Sequence, residues 1–330
     1  MGNNVAREGV ASVSGVAASG AAAGATDAAA ACAAGTCGIA LWIRAVSRLP
    51  FALLYALAGA LAFLLRYVLR YRVPVARANL RRCFPGCSNA EINRLLRRYY
   101  WHLAQVAVEF LKAATMSAEQ LNARVTLVHL ERVHAEFRAG RSVLLLGAHQ
   151  CNWEWSLQAV ALHLGVPMDA AYKPLHAPAA DRQLRALRCR FGARLVAAKR
   201  LLREVVRRRH EIRAVALIAD QVPASSDGRL WLRFLGLDTA FYPGPGEIAR
   251  STGYAAFFVA MRRTGRGQYE LEFQPISAAD ERLEPASFTV RYARLLEALI
   301  RAHPTDWNWT HRRWKLTCPH RLSEPQPVPR

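Results

Sequence analysis

The sequence predicts an α/β domain, with helices packed about a mixed central sheet, preceded by an N-terminal membrane helix. Three observations carry that prediction. Beyond residue 140 short apolar runs alternate with amphipathic stretches, the rhythm of strands and helices sharing one core. One uncharged apolar run, 49–65, stands ahead of them. The chain has 330 residues, 52% of them hydrophobic, enough for a sizeable core without disulfide or metal staples.

Taken in order, residues 1–38 are dominated by Ala, Gly, Ser and Val with almost no charge. Such a segment has little large apolar area to offset ordering entropy, so it reads as a disordered leader. It also lacks the basic stretch and apolar core of a signal peptide. The run 49–65 (LPFALLYALAGALAFLL) is stopped by Arg66. As a helix it would reach about 25 Å, slightly under the ~30 Å hydrocarbon core of a bilayer. Upstream IALWI lengthens the contact, with Arg44 and Arg48 able to snorkel, so 39–72 is expected to be a single-pass anchor. The alternative is a buried or interfacial hairpin of the following domain. Arg66, Arg70, Arg72, Arg77, Arg81 and Arg82 follow the run, against Arg7, Arg44 and Arg48 before it. The positive-inside bias then places the remaining unit, 73–330, in the cytoplasm.

From 90 to about 140 the apolar residues recur at three- and four-residue spacing, as in a helix. Strands are expected at 142–146, 168–172, 214–218, 255–261 and 269–276, and helices at 153–164, 180–191, 201–210 and 246–251.

Charge narrows function only slightly. Forty-five basic against 24 acidic residues leave a net charge of +21, which draws a protein to polyanions: nucleic acid, anionic lipid or an acidic partner. Lys112, Lys173, Lys199 and Lys315 are the only lysines, and a GC-rich genome that favours Arg codons produces the same excess. The seven cysteines are scattered. Cys83 and Cys87 have no second pair at zinc-site spacing, so reduced thiols and no metal are expected. Neither a Walker loop, nor HExxH, nor GxSxG appears.

The most informative stretch is Leu146-Gly147-Ala148-His149-Gln150-Cys151-Asn152-Trp153-Glu154. An apolar strand ends at a glycine, which permits a tight turn. A histidine follows, and a carboxylate comes five residues after it. Positions five apart on a helix are separated by about 140°, so the two side chains meet only if His149 sits in the turn and Glu154 on the first helical turn. The carboxylate would then fix the imidazole tautomer, leaving the other nitrogen to take a proton from a hydroxyl. Cys151 invites a thiol-nucleophile reading, but no papain-like or caspase-like signature supports it.

His149-Gln-Cys-Asn152-Trp153-Glu154 resembles the HxxNWE signature of the bacterial lipid A biosynthesis acyltransferases, the lauroyl and myristoyl transferases that complete lipid A. Ordered matches flank it. Upstream are Leu49-Pro50, Asn79-Leu80, Phe84-Pro85 and a helical Glu109. Downstream are Tyr172-Lys173-Pro174, Arg188-Cys189-Arg190, Ala219-Asp220-Gln221, Phe234-Leu235-Gly236, and Trp309-Thr310-His311-Arg312-Arg313-Trp314-Lys315. The likeness covers about 49–315. The chain departs from the family where Thr239 stands further than usual from Gly244-Pro245.

The resemblance implies a glycerol-phosphate-acyltransferase-like fold and O-acyl transfer without a cofactor. A fatty acyl thioester on acyl carrier protein is the donor, and a hydroxyl of a phosphorylated lipid A precursor is the acceptor. His149 would be the base and Glu154 its orienting partner, with Arg188, Asp220, Gln221 and Asn152 binding substrate. The basic segment 182–213 would dock lipid phosphates or the acidic carrier. By charge alone, His311, Arg312 and Arg313 could contact substrate phosphates or stabilise a nearby helix terminus. The implied place is the cytoplasmic side of the inner membrane, with no nucleic acid as partner. The alternatives are the same chemistry on another glycolipid or polyol, as in phosphatidylinositol mannoside acyltransferases, or a non-catalytic binder of anionic membranes.

Overall fold

In a computed structural model the described residues are 40–223 and 228–319. The expected leader, 1–38, lies outside them. Helices α1 (Leu41–Arg48) and α2 (Phe51–Phe63) precede a π-helical turn at Leu64–Val68. Helix α3 (Val73–Cys83) leads to the long α4 (Asn89–Lys112). Ser88 starts α4 with a capping box: its hydroxyl accepts from the Glu91 amide, and the Glu91 carboxylate accepts from the Ser88 amide. The expected continuous helical region to about 140 is broken at a second capping box, Ser117–Gln120. There follow α5 (Ala118–Asn122), β1 (Val125–Val128) and α6 (Leu130–Arg138).

The central elements are β2 (Val143–Gly147), α7 (Trp153–His163), β3 (Met168–Tyr172), α8 (Pro178–Arg188), β4 (Ala193–Ala197), α9 (Leu201–Arg207) and β5 (Ala214–Ile218). A hairpin of β6 (Leu230–Phe234) and β7 (Leu237–Phe241) follows. The chain then forms α10 (Gly244–Thr252), β8 (Ala255–Gly265), β9 (Gln268–Ser277) and α11 (Pro285–Ala302). Seven strands form one sheet in the order β1-β9-β8-β2-β5-β3-β4. The block β8-β2-β5-β3-β4 is parallel, and β9 turns back antiparallel to β8. The mixed sheet is therefore mostly parallel and covered by helices on both faces, which is why β2 is buried along four successive residues rather than at alternate ones.

Two core layers result. One packs Leu144, Leu146 and Phe258 with α11 residues such as Tyr292 and Leu296. The other packs Leu145, Phe257 and Val259 with Trp155 and Val160 of α7. Register matters most at the centre. Gly147, the last residue of β2, pairs with Ile218, the last of β5. The loops that leave these two strands therefore start side by side, at the carboxyl edge where α/β sheets place their ligands.

The apolar stretch Phe51–Val68 is long and apolar enough to cross a bilayer, but it does not stand clear of the domain. Leu54, Tyr55, Ala58 and Ala62 are buried in a cluster with Ala104 and Val108 of α4.

Candidate active site

His149 and Asp220 each lie two residues beyond the paired strand ends, so register brings them together across 71 residues of sequence. Asp220 Oδ1 lies 2.7 Å from His149 Nδ1. Its Oδ2 accepts from the His149 backbone amide at 3.0 Å and from the Trp307 indole at 2.8 Å. A carboxylate held by three donors has little freedom, and it fixes the ring with Nδ1–H toward Asp220. On the other side of the ring, Gln221 Nε2 is 3.1 Å from His149 Nε2 and donates to it in that tautomer.

Electrostatics follow from these contacts. Burial opposes charge on the imidazole, but the Asp220 charge and hydrogen bond outweigh it, with Glu154 adding, and raise the His149 pKa above its ordinary value. Burial likewise pushes the Asp220 carboxyl up. The His149 charge and the donors around it win, and hold the carboxyl below the usual carboxylate range.

The expected Glu154–His149 contact is replaced by a different pairing. Glu154 accepts from Arg188 at both oxygens, Nε to Oε2 at 2.8 Å and Nη2 to Oε1 at 2.5 Å. The Trp153 indole also donates to Oε1, at 3.0 Å. A fork of donors matches a carboxylate better than one ring nitrogen does, and α7 points Glu154 toward α8, which carries Arg188. Asn152, expected among the substrate-binding residues, is fully buried. Its Oδ1 caps α7 by accepting from the Trp155 amide, and its Nδ2 donates to Glu109 Oε2 at 2.9 Å. It shapes the turn from beneath.

The turn also differs from expectation in where its tight point lies. Cys151, not Gly147, adopts the left-handed conformation, with φ 49°. The Cys151 thiol is buried and donates to the Met261 carbonyl, and burial pushes its pKa far up. A protonated, enclosed thiol is no nucleophile.

Beside His149 opens a cavity of about 390 Å³, within the size range of small-ligand sites. His149, Gln221, Glu154, Arg188, Tyr172 and Lys173 line it together with apolar side chains. Leu145 of β2, Ala170 of β3 and Ala216 of β5 form its sheet wall, and Leu157 and Val160 of α7 face them. The lining runs from the carboxyl edge of the sheet down to Met168, the first residue of β3. A polar end with a greasy interior suits an amphipathic chain.

The C-terminal motif backs the site rather than lining the cavity. Asn79 of α3 donates to the carbonyls of Trp309 and His311, at 2.9 Å each. Arg313, expected to contact phosphate, is buried over the Phe241 ring at 4.5 Å. Burial lowers the pKa of its guanidinium to about 10, and that of the half-buried His311 to about 4. Arg312 is exposed. Part of the basic segment is also absorbed internally: Arg194, Arg208 and Arg213 converge on the buried Asp169. No group of three or more His, Cys, Asp or Glu positioned to hold a metal occurs among the described residues.

The profile of the family described as bacterial lipid A biosynthesis acyltransferase matches residues 32–316. The chain belongs to that family. It is therefore an acyltransferase. A lipid A biosynthesis acyltransferase from Haemophilus influenzae is similar to it, 21% identical over 236 residues that cover 71% of this chain and 73% of the relative. In this acyltransferase four of the residues expected at the site, His149, Glu154, Arg188 and Gln221, line one cavity, whereas Asp220, expected to bind substrate, is buried behind the His149 ring and bound to it. Missed from sequence were Trp307, which donates to Asp220, and Glu109 as the anchor of Asn152. The aromatic C-terminal motif was visible, but nothing local linked it to residue 220.

Proposed function

We propose that the chain moves a fatty acyl group from an acyl thioester to a hydroxyl of a lipid A-type glycolipid, with His149 as general base. The observation that carries this reading is the imidazole itself: Nδ1 is locked to Asp220, while Nε2 belongs to the lining of an apolar cavity. The acceptor hydroxyl must replace the Gln221 amide at Nε2. Nε2 then takes its proton as the oxygen attacks the thioester carbon. Asp220 stabilises the imidazolium that forms. Collapse of the tetrahedral intermediate breaks the carbon–sulfur bond, and the thiolate leaves with the proton from Nε2. The His149 backbone amide is committed to Asp220, so stabilisation of the oxyanion falls to other donors, with the Gln221 amide well placed once displaced.

In this reading the acyl chain runs along Leu145, Ala170 and Val160 toward Met168. Glu154 holds Arg188 at the cavity, where its free edge meets a phosphate or the thioester oxygen. Lys173, Lys199 and the exposed arginines of α8 and α9 offer an acidic acyl carrier protein a complementary surface. The enzyme would work at the cytoplasmic face of the inner membrane.

The test uses membranes carrying the full chain, supplied with acyl thioester and lipid A precursor. His149→Ala and Asp220→Asn should each lower transfer, measured by mass spectrometry of the lipid, by about 10³-fold or more. Near wild-type product from either variant would end the proposal. A comparison of total lipids with and without the gene identifies the acceptor.

A further inference from the structure

The apolar helix is bound to the domain along its length. Near its start, Tyr55 donates to the buried Glu109 of α4 at 3.1 Å. Past its end, Arg66 Nη2 donates to the Asn93 carbonyl at 3.3 Å. Between them Gly59 lies against the Trp101 ring, and a Cβ there would sit 3.2 Å from a ring carbon. The segment that joins α1 to α2 is tied as well: Lys112 Nζ donates to the Leu49 carbonyl at 3.0 Å, and the Thr115 hydroxyl to the Ser47 carbonyl at 2.9 Å. The Arg124 guanidinium stacks 3.5 Å from the Phe51 ring centroid, and Arg266 lies over Tyr55 at 5.3 Å.

A helix that crosses a bilayer is surrounded by hydrocarbon or by other apolar segments. Here Glu109, Lys112, Arg124 and Arg266 flank the first turns of the helix and α4 packs along the rest of it, so a spanning helix would carry this face of the domain into the membrane with it. Charged and polar groups carried toward the bilayer centre are costly even on the lenient scale. The opposite face is bare and apolar: Leu53, Leu57, Phe63 and Val68 are exposed, and α1 adds Leu41 at 84% and Trp42 at 62% exposure. Arg48 and Arg70, both exposed, bracket this face.

The geometry points to an in-plane seat: α1 and α2 lie flat in one leaflet of an anionic membrane, their bare face among the acyl chains and Arg48 and Arg70 at headgroup level. The helix then does not span, and the residues before it remain on the same side as the catalytic domain. This rests on the membrane location in the proposed function and takes the interfacial alternative over the single-pass expectation, because one face of the helix is already occupied by protein.

Two measurements test it on the full chain, and neither reads acyl transfer. With an epitope at the N-terminus, spheroplasts treated with external protease should retain both the epitope and the catalytic domain, and lose them only on lysis. Removal of the epitope with the domain intact would overturn the proposal. In flotation with vesicles, binding should rise when phosphatidylglycerol is added to phosphatidylcholine. The double variant Arg48→Glu, Arg70→Glu should bind the anionic vesicles about tenfold or more weakly and keep its wild-type melting temperature. Binding indifferent to both lipid charge and this variant would also overturn it. Protected epitope with no transfer activity would instead sink the acyl-transfer reading alone.

Discussion

Asp220 and Glu154 are both carboxylates, both nearly inaccessible to solvent, and both close to the turn that carries His149. They differ in what holds them. Asp220 binds an imidazole, a partner that gains and loses a proton near neutral pH. Glu154 binds a guanidinium, which stays charged throughout. Only the first pair is able to pass a proton to and fro; the second is a fixed strut that positions Arg188 at the cavity. Adjacency within a motif thus does not decide which acid pairs with the histidine.

The sharpest test of that contrast is His149→Ala, which removes the proposed proton acceptor and should lower transfer by about 10⁴-fold at saturating thioester. Next comes Asp220→Asn, with a loss of about 10³-fold in kcat/KM and a second signature in the pH profile. In the proposed mechanism transfer needs the neutral imidazole, so the rate of the native enzyme should fall as pH drops through the raised His149 pKa. Removing the Asp220 charge leaves burial in control and lowers that pKa, so the acid limb of the residual activity should move to lower pH. If Glu154→Gln moved the limb as far as Asp220→Asn, the two carboxylates would have to exchange roles.

A smaller effect is expected at the strut. Glu154→Gln and Arg188→Met should each reduce transfer by about 10- to 100-fold, and the double variant should be no worse than the poorer single one, because both break the same pair. Additive losses would mean that each side chain touches substrate separately. The mildest change is Cys151→Ala. It should leave transfer close to native and cost on the order of 1 kcal/mol in stability by thermal unfolding, since the thiol fills core space and takes no part in chemistry.

How far the sequence could be read divides along the same line between local and distant signals. Met168–Tyr172 and Ala214–Ile218 were recognisable strands because each is a short apolar run with clear boundaries. Ala193–Ala197 was not, since Arg194 and flanking basic residues made it blend into a helical segment. The β6–β7 hairpin and β1 were too short or too mixed in polarity to separate from loop. His149 was legible as a candidate base from strand, turn and helix in succession. Its true partner was not, because the Gly147–Ile218 register that aligns the two loops is a property of the sheet and not of any local stretch. Asn152 had a local signal that was passed over: an Asn just before the first residue of a helix is a cap.

Glu109 gives the molecule a common fastener. One carboxylate, with a pKa raised by burial, takes hydrogen bonds from Tyr55 on α2, Tyr269 on β9 and Asn152 beneath the turn that carries His149. Cutting away residues 40–68 to obtain a handier soluble enzyme would strip that acid of its tyrosine and open the interior beside it to water. The truncated protein would lose rigidity where the imidazole is mounted, so an inactive fragment of this kind would speak of a broken foundation and not of a missing lipid.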